Sequence, residues 1–173
     1  ENPAAQMRNA TITFNSEDGT KFLGSLQIVQ VGKDEEDPNA MIFVVRANYS
    51  NDFTVELPIW GAECYVDWGD GQVEFYEIGY PMNYNYGYTN IQETAPVAVH
   101  TYDVDEPTSF DVKIAGTVKM IRSVYLTFHS VTEVKQWGNT GLIYMTNAFS
   151  SNPNLKRVAG DYAGAFSNLR ESS

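Results

Sequence analysis

At 173 residues, with 43% hydrophobic and 13% aromatic content, the chain can bury roughly 70% of its unfolded surface, and its composition suits strands joined by turns, which excludes a helical bundle or a disordered tail. Eleven Lys and Arg against 22 Asp and Glu give a net charge of −11 with no basic stripe, which excludes a nucleic-acid partner. The single cysteine, Cys64, excludes an internal disulfide and a cysteine-rich metal site, and no run of eighteen apolar residues is present, so no transmembrane segment is expected in this chain.

The first segment, Glu1-Asn2-Pro3-Ala4-Ala5-Gln6, fits a short tether left after a targeting segment is trimmed, and equally an ordinary frayed terminus. Residues 10–31 read as a β-hairpin. Ile12 and Phe14 alternate before Asn15-Ser16-Glu17-Asp18-Gly19-Thr20, and Phe22-Leu23 and Leu26 to Val31 form the return arm. The charged, proline-ended stretch from Lys33 to Asn39 marks a first boundary, making residues 1–37 a tether plus hairpin.

Met41-Ile42-Phe43-Val44-Val45 is apolar on both faces and predicts a central strand. A turn at Ser50-Asn51-Asp52 leads into the alternating Phe53-Thr54-Val55-Glu56-Leu57, which Pro58 ends. The next stretch, Cys64 to Tyr76, is a second hairpin around Gly69-Asp70-Gly71, where glycine supplies positive φ without steric cost. Alternation assigns Cys64, Val66 and Trp68 of the first arm, and Val73 and Phe75 of the second, to the core. The same turn offers Asp67 and Asp70 as candidate calcium ligands. Two carboxylates supply a fraction of the six to eight oxygens calcium takes, and Asp70 equally serves to cap its own turn. No other cofactor is expected.

Val66-Asp67-Trp68-Gly69-Asp70-Gly71 resembles the W-D-F-G-D-G signature of polycystic-kidney-disease (PKD) domains, and His100-Thr101-Tyr102 with Phe110-Asp111-Val112-Lys113-Ile114 is similar to that family's later strand pair. The resemblance implies an immunoglobulin-like β-sandwich. About seven short strands with regular turn signals fit the same architecture over residues 38–116. Tyr102 is expected to play a corner role, its hydroxyl bonded to nearby backbone. Between the two motifs, the stretch from Tyr80 to Asn90 carries Tyr80, Tyr84, Tyr86 and Tyr88, whose rings suit either stacking on a sugar or a protein contact, or packing back as a lid.

Beyond Gly116 the pattern changes. Val131 to Gly138, with Trp137, precedes Leu142 to Phe149 and Asn152 to Val158, and the series resembles the start of a BspA-like leucine-rich-repeat array. Tyr162 to Leu169 echoes Met145 to Ser150 at a spacing of seventeen residues. Residues 117–173 are therefore expected to form a short α/β cap or fragment with Phe149 turned inward. PKD-like sandwiches before such repeats occur in surface lipoproteins of gut and oral Bacteroidetes. This implies an exported chain at the cell surface or outer membrane, lipid-anchored in its precursor, whose partner is an extracellular protein or a glycan.

No stretch carries a catalytic signature. The carboxylates lack a glycosidase pattern, Ser and His lack a nucleophile elbow, and Cys64 falls on the inward face of a strand. A non-catalytic binding module is expected, with a carbohydrate-binding module of a glycan-uptake system as the alternative.

Overall fold

In the computed structural model, which describes residues 8–30, 37–80, 97–122, 129–145, 148–149, 152–161 and 164–170, the chain is mainly β, with ten strands among the described residues. It divides into two compact units, Glu1–Asp37 and Pro38–Ser173. None of the described helices is long and apolar enough to cross a membrane.

In the first unit, β1 (Arg8–Asn15) pairs antiparallel with β2 (Phe22–Gln30). The turn is written into its own side chains. The Asp18 carboxylate accepts the Thr20 backbone N–H at 3.0 Å and the Thr20 hydroxyl at 2.8 Å, and the Ser16 hydroxyl donates to it as well. These donors, Ser16 foremost, hold the Asp18 carboxyl down at about 2. Ile12, Phe14, Phe22 and Leu23 all stand exposed.

The second unit runs β3 (Met41–Ala47), a single 3-10 turn (Tyr49–Asn51), β4 (Thr54–Leu57), β5 (Ile59–Asp67), β6 (Val73–Ile78), β7 (Ala98–Thr101), β8 (Thr108–Ile121), β9 (Val131–Gln136) and β10 (Arg157–Val158). Six strands form one sheet in the order β10-β9-β3-β8-β5-β6, and β4 pairs with β7 in a second, smaller sheet. The apolar run of β3 explains its interior place, since Met41, Ile42 and Phe43 are buried on both faces. β8 lies beside it, antiparallel to both β3 and β5, with Ile114 opposite Met41 on one side and Val66 on the other. Pro58 has no N–H to give a ladder, and between β4 and β5 the chain changes sheet there. Val55 and Leu57 of β4 and Ala98 of β7 join Phe43, Ile59, Val66 and Ile114 in one hydrophobic core, so the two sheets cover each other.

β8 crosses one expected boundary, and one expected element is not shown. The boundary placed at 116/117 falls inside β8, which continues unbroken to Ile121 because Thr117 to Ile121 extend the same ladder with β5. The α/β repeat expected after residue 117 is not shown: among the described residues of 129–170 there are two strands and turns, and no helix.

The seventeen-residue echo is not the structural period either. Met120 bridges Tyr144, Glu133 pairs with Arg157 and Val134 with Val158, all parallel and all 24 residues apart. The echo has a packing origin, because Phe149 and Phe166 both feed the buried Trp137, with ring centroids 6.3 and 5.1 Å from it. Trp137 in turn donates its indole N–H to the Ala159 carbonyl at 2.8 Å. The side-chain amides of Asn152 and Asn154 donate to the Val131 and His129 carbonyls at 2.8 and 2.9 Å, satisfying backbone acceptors at and just before the start of β9.

Candidate functional site

The β5–β6 hairpin sets the geometry through its register. Asp67 lies opposite Val73, Val66 opposite Glu74, Tyr65 opposite Phe75 and Cys64 opposite Tyr76. Residues directly opposite share a face, so the core side of β6 belongs to Glu74 and Tyr76. Val73 and Phe75, expected inside, are instead 59% and 52% exposed. Apolarity favoured the inward assignment, but the span of the turn decides which residues oppose Val66 and Cys64, and register overrides composition.

The turn itself is closed by its acids. The Gly69 N–H donates to Asp67 Oδ1 and the Gln72 N–H to Asp70 Oδ1, each at 3.0 Å, and the Trp68 N–H reaches the Gln72 carbonyl at 3.0 Å. Gly69 has φ +82°, and a Cβ there would come within 2.7 Å of the Asp111 carbonyl oxygen. No other residue fits. Gly71, at φ +97°, lies in open space.

Trp68, with 0% of its surface exposed, is the hub of a polar and aromatic cluster. Its ring stacks on His100 at 4.9 Å and 16°, and meets Tyr76 and Tyr102 edge-on at 6.2 and 6.4 Å. Its indole N–H donates to the Glu74 carboxylate at 2.9 Å. The Tyr76 hydroxyl donates to the same carboxylate and stands 3.0 Å from the Val99 carbonyl of β7. His100 Nε2 lies 2.8 Å from Asp70 Oδ2, and the Tyr102 hydroxyl donates to the Trp68 carbonyl at 2.9 Å while its ring stacks on Phe110 at 3.9 Å. The larger sheet is thereby tied to the smaller one.

The electrostatics follow from these contacts. The Tyr76 hydroxyl, helped by the Trp68 N–H, outweighs desolvation and holds the Glu74 carboxyl below its ordinary value. Burial raises the Asp70 carboxyl, but the Gln72 N–H and His100 more than offset it, and the net shift is downward. Burial first, then the neighbouring carboxylates, push the Tyr76 and Tyr102 phenols upward. Burial alone pushes the Cys64 thiol up to about 11, which keeps it unreactive.

Among the described residues no group of three or more His, Cys, Asp or Glu is placed to hold a metal ion. Asp67 and Asp70 each use one oxygen on the turn, and Asp70 uses the other on His100. The arrangement fixes a tryptophan in place by internal hydrogen bonds. Of the tyrosine loop, Tyr80 is 49% exposed with its ring over Gly61, where a Cβ would meet it at 2.7 Å. Tyr84, Tyr86 and Tyr88 lie outside the described residues.

Sequence reasoning missed Glu74 and His100 as partners of Trp68. His100 had a signal, since it shares the strand parity of Tyr102, while Glu74 had none, because its face depends on how many residues the turn consumes before pairing resumes. Compared with protein-family models, curated proteins and solved structures, the chain matches none.

Proposed function

We propose that the chain is a non-catalytic module of an exported, surface or envelope protein, in which an immunoglobulin/PKD-like sandwich serves as a spacer and the segment after residue 117 begins a leucine-rich-repeat-like stack that presents a protein-binding edge. The observation that carries this reading is the Trp68 cluster, because its acids, imidazole and phenols are bonded to one another and to backbone, as a structural anchor requires. The parallel pairings at a constant offset of 24 residues support the repeat, since stacked rungs of a solenoid pair in parallel at the repeat length. The internal pairing of Asp67 and Asp70 favours an architectural role for them over calcium binding.

The test is capture of protein from host-matrix or envelope extracts by the immobilised chain, run beside a glycan array. Retention of a protein that free chain competes off supports the reading. A glycan bound at micromolar strength with no protein retained would sink it in favour of a carbohydrate-binding module. That second reading draws on the exposed ring of Tyr80 at the start of the tyrosine loop. It predicts that alanine at Tyr80, Tyr84, Tyr86 and Tyr88 abolishes glycan binding.

A further inference from the structure

The solvent face of β5 and β6 carries a pattern that sheet stability does not explain. Cross-strand register places Tyr65 beside Phe75, and Glu63 beside Glu77 in the next pair along the same face. Tyr65 is 58% exposed and its ring centroid lies 5.1 Å from that of Phe75, so the two rings form one apolar surface open to water. On the other side of Tyr65 the β8 neighbour is Ala115, whose small side chain leaves the ring face uncovered. An exposed aromatic pair by itself supports a hairpin. Two glutamates directly opposite do the reverse, because like charges in that position repel. The β8 residue beside Glu63 is Thr117, and neither glutamate has a lysine or arginine partner among the described residues. The row on the opposite side of the rings carries Asp67 with Lys113, which is balanced. Uncompensated negative charge therefore sits at one border of an aromatic platform.

We propose that this face docks an arginine-bearing segment of a protein partner, with the guanidinium stacked on the Tyr65–Phe75 rings and its N–H fork directed to Glu63 and Glu77. Arginine fits both halves of the surface at once. Its plane stacks on an aromatic face, and its donors match carboxylate oxygens two at a time. Other occupants fit one half each. A sugar ring uses the aromatics and has no need of two facing carboxylates. An anionic lipid surface and a second copy of this face, which would set four glutamates together, are both repelled, the more so in a chain of net charge −11. This inference rests on the protein-binding reading and names the surface and the chemistry it would use.

The experiment titrates the full chain, labelled for amide NMR, with the hexapeptide RTRTRT and separately with KTKTKT. Shift changes confined to β5 and β6, with the arginine peptide at least several-fold tighter, are expected. Tyr65→Ala/Phe75→Ala and Glu63→Gln/Glu77→Gln should each weaken RTRTRT binding about tenfold or more. Glu63→Gln/Glu77→Gln should also melt no lower than the parent chain, which separates lost docking from lost folding. Equal binding of the two peptides, equal binding by the glutamine variant, or shifts spread over other acidic surfaces would overturn the proposal. Dilution-dependent self-association through β5 and β6, saturation of Glu63 and Glu77 by calcium alone, or a glycan that shifts Tyr65 and Phe75 would overturn it too. If a protein captured from extracts is held equally well by Tyr65→Ala/Phe75→Ala, this surface is excluded while the protein-binding reading stands.

Discussion

The two hairpins of this chain begin from the same short instruction and end in different physical states. Asp18-Gly19 and Asp70-Gly71 each close a turn in which the aspartate accepts the backbone N–H two residues on, at 3.0 Å in both cases. Around the first, Ile12, Phe14, Phe22 and Leu23 remain exposed, while the second follows directly on a fully buried tryptophan, Trp68. An Asp-Gly turn specifies where a chain reverses and nothing about what the reversed strands bury. Anchoring comes from more distant residues, here Glu74, Tyr76, His100 and Tyr102.

The largest expected break between the hairpins comes from aromatic truncation. Trp68→Ala should cost about 3–5 kcal/mol, whereas Phe14→Ala should stay within about 0.5 kcal/mol, as read by urea unfolding. A Trp68→Ala chain that unfolds at the parent midpoint contradicts the anchoring role. Next come the turn glycines. Both Gly19 and Gly69 have positive φ, so alanine at either is strained by about 1–2 kcal/mol, but Gly69→Ala also meets the Asp111 carbonyl where Gly19→Ala meets nothing within 4 Å. Gly69→Ala should therefore be the more destabilising by a further increment of at least about 1 kcal/mol. Equal costs would show that the Asp111 strand yields.

Acid sharpens the contrast more gently. Glu74 and Asp70 have depressed carboxyls, so the stability they contribute is complete above their ordinary values of 4.5 and 3.8 and is lost as pH falls through the lower folded values. Glu74→Gln should flatten the acid limb of a stability profile below about pH 4.5. In the first hairpin the corresponding loss belongs to Asp18 and lies between 3.8 and about 2. Amide exchange resolved by residue would show the β5–β6 ladder loosening at the higher pH of the two. The smallest effect has the opposite sign: Glu77→Lys, by removing the repulsion with Glu63, should stabilise by about 0.2–1 kcal/mol.

Much of this was legible in the sequence. Strands, the interior place of Met41 to Val45 and the stop at Pro58 follow from alternation, apolar runs and a missing N–H, all of which are local. The burial of Trp68 was legible because its parity with Val66 and Cys64 is fixed within one strand. Val73 and Phe75 were not, since the face of β6 depends on how many residues the turn consumes before pairing resumes. The 24-residue offset was hidden for a related reason. Backbone pairing of β9 with β10 sets it, while the visible echo of Phe149 in Phe166 reports a shared packing partner, Trp137.

The central place of β3 has a consequence for biosynthesis. Met41 meets Ile114 only after some seventy further residues have left the ribosome, at roughly 5–20 residues per second, so one of the stickiest segments of the chain waits several seconds without its β8 neighbour. During that interval Met41 to Val45 is an aggregation hazard. Expression of this molecule should depend on holdase supply, growth temperature and translation speed more than its folded stability would lead one to expect.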